Sequence, residues 1–318
     1  MREPIYQRSL KKALQLVLHH KILWIFGVLS LLLGQLGWNN FIGSLTIFSN
    51  EEASFSSYFL AIPWSNIWTG SNIFWSLWLT LVLVTISVLV ILLAVVSEGA
   101  LIAAATSWYK GVKEIKIDES WQKGVKHFKR LLVVHVSKKF LLVSLLVIVN
   151  STINNLTPTK GVFETTMLVL VVMTGILLAL AIATIGIFAA GYVVEREISI
   201  LDSVKKASIL FKEHILVSLE LSLLLLAIQM GVVLLFMAAS TWFLLPFVSF
   251  TIIGGFTGST TFIMTGLMSS VILFFVVAAL VGGILNAFAT AAWMYMFMKM
   301  DHEGVGSSIL HLLRFKRD

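Results

Sequence analysis

The chain has no cysteine, four prolines and few charges, and each scarcity excludes something. Without cysteine there is no disulfide, no thiolate chemistry and no cysteine-ligated metal site. Charged residues make up 12% of the 318 positions and hydrophobic residues 58%, against about 25% charged in a soluble domain. Such a chain cannot cover itself with polar surface. The catalytic fingerprints are also missing: there is no Walker loop, dinucleotide fingerprint or nucleophile elbow, and "DHEG" at 301–304 lacks the second histidine of a zincin helix. His19 and His20 are adjacent, so on a helix they point about 100° apart and make a poor metal pair. No cofactor is expected.

What is present is long charge-free sequence. Residues 22–50, 53–97, 140–159, 165–194 and 221–298 contain no Asp, Glu, Lys or Arg. A helix crosses the hydrocarbon core with about 20 mostly apolar residues, so several runs can span once and the last can span twice. The first run follows a basic segment and lacks a clear cleavage site, and reads as a retained span. Six spans fit: 22–37, 73–95, 133–149, 165–188, 216–243 and 268–290. With both termini on one side, every Lys and Arg except Lys160 falls within or beside the segments of that side. Basic loops stay in the cytoplasm, so both termini are expected there, in an inner membrane. The net charge of +7 then serves orientation and contact with anionic headgroups, and nucleic acid is not needed to explain it.

Three connections are expected on the other side: 38–72, 150–164 and 244–267. The first holds Trp38, Trp64 and Trp68 and leads to Trp75 and Trp78, a belt suited to the headgroup level. The last contains Pro246, Gly254, Gly255 and Gly258. It reads as an outer loop lying on the bundle, with a re-entrant segment as the alternative.

One phrase recurs. "SLKKALQLVLHHKILWIFGV" begins at Ser9 and "SVKKASILFKEHILVSLELS" at Ser203, and a diverged copy, "SWQKGVKHFKRLLVVHVSKKF", begins at Ser120. Each precedes an odd-numbered span. The expected fold is therefore an all-α membrane protein with six transmembrane helices. They are arranged as three repeats of an amphipathic interfacial helix plus a helical hairpin. The repeat units fall near 5–109, 118–197 and 201–300 of a single domain over 1–318, with a cytoplasmic tail at 301–318.

In the middle copy Trp121, Val125, Phe128 and Leu132 define the expected apolar face. In the first copy Leu10, Leu14 and Val17 do so. The opposite faces supply candidate headgroup contacts: Lys11, Lys12, Lys123, Lys126, Lys129, Arg130, Lys205 and Lys206. Helical pattern continues past membrane length after each even span, so these amphipathic helices are expected to wrap the extensions. Small residues at Gly99, Ala103 and Ser107, at Gly175, Ala179 and Ala183, and at Ala279, Gly283, Ala287 and Ala291 mark the even spans as a tight inner cluster. Asn286 and Thr290 read as interhelical hydrogen-bond partners.

Glu98, Lys138, Lys139 and Glu220 form a candidate intramembrane polar cluster. Aligning the copies puts the two lysines at nearly the depth of Glu220. The leading reading is that the lysines snorkel to headgroups and Glu220 reaches water; an ion pair of Glu220 with Lys138 or Lys139, joined by Glu98, is the alternative.

The recurring start, the "GALIAAAT" helix and "REISILDSVKKASILFKEH", with Arg196, Glu197, Ser203, Lys205 and Lys206, resemble bacterial multi-pass proteins similar to the membrane domain of glycerophosphodiester phosphodiesterases. In that resemblance the phosphodiesterase activity belongs to a separate soluble β/α barrel that no segment here fits, so the resemblance does not imply that activity. The leading functional expectation is a non-enzymatic scaffold or lipid-associated protein whose partners are membrane lipids. A small-solute or lipid transporter working at the repeat interfaces, and an intramembrane lipid enzyme, are the alternatives.

Overall fold

The computed structural model describes residues 5–31, 73–112, 114–156 and 161–303. The described residues form nine helices and no strand: α1 (Ile5–His19), α2 (Ile22–Ser30), α3 (Ile73–Tyr109), α4 (Ile117–Lys126), α5 (Phe128–Leu156), α6 (Val162–Glu195), α7 (Ile200–Glu213), α8 (Ile215–Thr257) and α9 (Thr260–Glu303). Five of them, α3, α5, α6, α8 and α9, are long and apolar enough to cross a membrane. The bent pair α1–α2 brings the number to six if it counts as one span. The tryptophans at 38, 64 and 68 and the far end of the first expected span lie outside the described residues.

The short helices have identifiable local causes. Asp118 and Glu119 open α4 and Lys123 and Lys126 close it, each complementing the helix dipole. Ser199 caps α7, its hydroxyl accepting from the Asp202 amide at 3.2 Å. Between α1 and α2 the axis turns by 108°. The Trp24 indole N–H donates to the Val17 carbonyl at 2.8 Å across that corner, satisfying one of the carbonyls a helix end leaves open.

One end of the molecule is packed and the other open. The core gathers residues 94–105 of α3, 179–194 of α6 and 287–300 of α9, with Trp293, Phe188 and Phe297 among its largest fully enclosed side chains. These three helices touch one another, and the short helices lie against them: α4 on α3, α7 on α6 and α1 on α9. Toward the opposite end α3 is exposed, with Phe74, Trp75, Trp78 and Leu81 all more than half accessible. That is the pattern of helices whose outer halves meet lipid.

Glycine sets the tightest crossings. A Cβ at Gly27 would stand 2.0 Å from the Gly283 carbonyl oxygen, and one at Gly124 would stand 2.3 Å from the Val96 oxygen. At both places backbone meets backbone, which only a residue without a side chain allows. Asn286 locks the first crossing, its amide donating to the Gly27 carbonyl at 3.2 Å and to Ser30 Oγ at 2.8 Å. Thr290, expected to bond between helices, donates back to the Asn286 carbonyl of its own helix.

Two expectations fail here. Residues 244–267 are not a loop: α8 runs through Pro246 to Thr257, Gly258 turns the chain with φ 67°, and α9 starts at Thr260. Of the glycines that read as loop formers, Gly258 makes the turn, a Cβ at Gly255 would meet nothing within 4 Å, and Gly254 serves contact, as does Gly266. A Cβ at Gly254 would meet the Ile263 nitrogen at 2.7 Å, and one at Gly266 would meet the Phe247 oxygen at 2.7 Å. The expected faces of the short helices fail only at Leu14 and Val125: Val17 is buried, and Leu10, Trp121, Phe128 and Leu132 pack against the core. In α1 the enclosed residues are Ser9, Ala13, Leu16 and Val17, while Leu14 is 48% exposed. Across α4 and the start of α5 they are Ser120, Gly124, His127 and Leu131, with Val125 at 51%. Close approach of two helix backbones requires small residues at the contact, so Ser9, Ala13, Ser120 and Gly124 take the inner positions while Leu14 and Val125 turn outward.

Candidate functional site

A buried polar cluster lies between α3 and α5. Position 98 of α3 and the α5 face made by Leu131, His135, Lys138 and Leu142 are all inside the protein. The α5 positions follow i, i+4, i+7, i+11, so one helical stripe carries an imidazole and an ammonium between leucines. His135 Nε2 stands 3.0 Å from Glu98 Oε2, with the two side chains 3% and 1% exposed. The Glu98 carboxylate also acts electrostatically on Lys138. The lysine methylenes lie against Gly186 of α6, where a Cβ would meet Lys138 Cδ at 2.6 Å. Glycine at 186 therefore makes room for the lysine stem. His135 Nδ1 has no hydrogen-bond partner among the described residues.

Of the expected cluster, Glu98 and Lys138 come together in this way. Lys139 is exposed, because it follows Lys138 by about 100° around α5. Glu220 is half-buried on α8 with one carboxylate oxygen shielded from solvent. Sequence reasoning missed His135. The signal for it was the stripe: His135 falls four residues after Leu131 and three before Lys138.

Outside this cluster the packed end is ringed by ion pairs. Lys110 of α3 pairs with Glu195 of α6. Asp301 of α9 accepts from the Tyr192 hydroxyl and from Arg196, each at 2.7 Å. Glu197, in the α6–α7 link, has a left-handed backbone with φ 56°. Its carboxylate meets Lys126 Nζ at 2.6 Å and His127 Nε2 at 3.5 Å, and its carbonyl accepts from Arg130 at 2.8 Å. The hydrogen bond from Lys126 holds the Glu197 carboxyl below its ordinary range. Burial pushes the His127 imidazole below its usual value, against the pull of Glu197. Three basic side chains of the α4–α5 corner thus hold one strained link.

All eight candidate headgroup contacts, Lys11, Lys12, Lys123, Lys126, Lys129, Arg130, Lys205 and Lys206, are exposed. Lys126 and Arg130 are also tied into the chain through Glu197. Among the described residues no group of three or more His, Asp or Glu side chains is placed to hold a metal ion. No family model matches the chain, and no curated protein or solved structure matches it either.

Proposed function

We propose that this chain is a non-enzymatic scaffold of the inner membrane whose basic amphipathic helices grip anionic lipid at the cytoplasmic leaflet, with both termini on that side. In this reading it resembles the membrane part of glycerophosphodiester phosphodiesterases without their barrel. The observation that carries the proposal is the double character of the outward faces of the short helices. Lys11 and Lys12 are exposed beside Leu14 and Leu18, Lys123 beside Val125, and Lys205 and Lys206 beside Leu201 and Ile209. Cationic and aliphatic groups together on one solvent-facing surface suit the boundary between headgroups and acyl chains.

A threefold repeat belongs to the same proposal. Ser9, Ser120 and Ser203 are buried at equivalent positions, as are Ala13, Gly124 and Ala207. Each short helix rests on the even span of the preceding unit, and the first rests on the last, which closes a ring. The large enclosed side chains at the packed end favour a scaffold over a conduit.

The transporter reading keeps one observation in its favour, the enclosed Glu98, His135 and Lys138. Ionisable groups within a membrane span are costly and commonly lie on a path for protons or ions.

The test is stability in defined lipid. Reconstituted into phosphatidylglycerol nanodiscs, the chain should unfold at a higher temperature than in phosphatidylcholine. The difference should shrink with added salt and disappear in a Lys11→Gln, Lys12→Gln, Lys205→Gln, Lys206→Gln variant. Equal unfolding temperatures in the two lipids would overturn the lipid grip. Pumping or uptake that stops in a Glu98→Gln variant would establish the transporter.

A further inference from the structure

The hairpin of α8 and α9 is longer than a bilayer is thick. Leu225 is the last α8 residue in the core cluster and Gly258 makes the turn. At about 1.5 Å per residue the helix rises ~50 Å between them, and the hydrocarbon core is about 30 Å. The exposed length of α3, Ile73 to Leu93, is by the same measure ~30 Å and matches an upright crossing.

The surplus length lies within residues 221–298, which carry no charge, and short of its tip it offers water nothing. Hydroxyls along the hairpin turn back on their own helices: Ser249 donates to the Leu245 carbonyl and Thr257 to the Ile253 carbonyl, both at 2.9 Å, and Ser270 to Leu267 at 2.8 Å. Such bonds satisfy a polar side chain where no water is present. The outward side chains are apolar as far as Phe256, after which exposed Thr257, Thr260 and Thr261 close the tip: Trp242 is 77% exposed, Phe256 90% and Phe275 66%. The inner faces are zipped by Gly254 and Gly266, so the tip is a finished pair of helices.

We propose that the hairpin is embedded in lipid acyl chains from Leu225 to Phe256, with the threonines of its tip at the remote headgroups, and therefore crosses the bilayer obliquely. Fitting ~50 Å of helix into a slab of about 30 Å requires an inclination of about 50° from the normal. That is steeper than the ~20° average of membrane helices. Pro246 supplies a point of flexure, since it lacks the N–H that would bond the carbonyl four residues before it. An inclined apolar wedge displaces lipid from the leaflet remote from the packed end. The partner of this surface is hydrocarbon. The inference rests on the chain being a membrane protein and is independent of what the basic helices bind.

The chain has no cysteine, so single nitroxide labels can be placed without further change. Met230→Cys, Trp242→Cys and Phe256→Cys, each at an exposed side chain, would be labelled in nanodiscs and read for collision with oxygen and with a water-soluble nickel chelate. Oxygen should reach all three and nickel none. Depth should advance about 0.9 Å per residue, the ratio of core thickness to helix length, against about 1.5 Å for an upright helix. Nickel reaching position 256 would overturn the proposal, because the apolar run would then end in water. Exclusion of both probes with spin–spin broadening would also overturn it, because a second copy would cover the tip. Should a cysteine variant fail to fold, the unaltered protein gives the same answer with a lipid bearing a diazirine on its acyl chain. Adducts within 250–265 are expected, and their absence refutes the embedding.

Discussion

Replacing Gly27 with alanine sets two opposed effects against each other at one atom. Alanine is favoured over glycine in a helix by about 1 kcal/mol. The new Cβ would start 2.0 Å from the Gly283 oxygen and 3.1 Å from Ala287 Cβ. The first of these neighbours is backbone and cannot rotate away, so α2 and α9 must part by more than 1 Å. Overpacking of this kind costs about 1–3 kcal/mol. Parting also stretches the two hydrogen bonds of Asn286 across the same crossing, worth roughly 0.6–1.5 kcal/mol each. Net destabilisation of ~1–3 kcal/mol follows. The matched control is Gly231→Ala, where a Cβ meets nothing within 4 Å and only the helix preference acts, raising stability by up to about 1 kcal/mol. Unfolding midpoints in a mixed-micelle denaturant titration, followed by tryptophan fluorescence, compare the two. Should Gly27→Ala match or exceed the wild-type midpoint, the close crossing of α2 and α9 is wrong.

Other perturbations test the polar contacts. Removing Glu98 alone leaves His135 and Lys138 enclosed without their carboxylate, an effect of about 3–5 kcal/mol for a buried pair. In a cycle of Glu98→Gln with His135→Phe the losses should fall short of additivity by about 0.5–3 kcal/mol, and additivity within ~0.5 kcal/mol would exclude their coupling. Acid should act in two windows. His127, lowered from its ordinary 6.5 by burial, binds its proton more weakly folded than unfolded. Its contribution is present above about 6.5 and is lost as pH falls toward the depressed value. Glu197, lowered from 4.5 chiefly by the Lys126 hydrogen bond, loses its contribution only below 4.5. His20, also lowered from 6.5 by burial, acts in the same upper window. His127→Phe should therefore shrink that window of a stability-versus-pH curve and leave the lower one, and an unchanged upper window would count against a neutral buried imidazole at 127. At the α7 cap, Ser199→Ala should destabilise by about 0.5–2 kcal/mol while Ser199→Thr, which keeps the hydroxyl that also donates to Asp202 at 2.6 Å, stays near wild type; equal midpoints would remove the cap from the account.

The sequence was most legible where one physical demand ruled a long stretch. Charge-free runs forecast helices able to cross a membrane, because a buried charge in hydrocarbon is costly and its absence over about 20 residues is rarely accidental. Legibility fell where two demands competed. Val125 and Leu14 belong to apolar periodicities yet face outward, since Ser120, Gly124, Ser9 and Ala13 are what let backbones touch. Pro246, Gly254 and Gly258 suggested a loop, but in lipid a helix must continue to satisfy its own carbonyls; Gly254 marks a helix contact and only Gly258 turns the chain. Glu98 and Lys138 were both visible as misplaced charges. His135 was not, because a lone histidine carries no composition signal and only the stripe on α5 reveals it.

The seat of α1 on α9 has a consequence for synthesis. α1 leaves the ribosome well before α9, the helix it rests on and the last of the described helices to appear. At roughly 5–20 residues per second the wait is about fifteen seconds to a minute. During that interval the face of Ala13 and Leu16 lacks its seat on α9 and must be parked at the bilayer surface. A nascent chain halted before α9 therefore forfeits the docking of its own beginning, and quality-control proteases would meet an N-terminal helix that a completed chain hides.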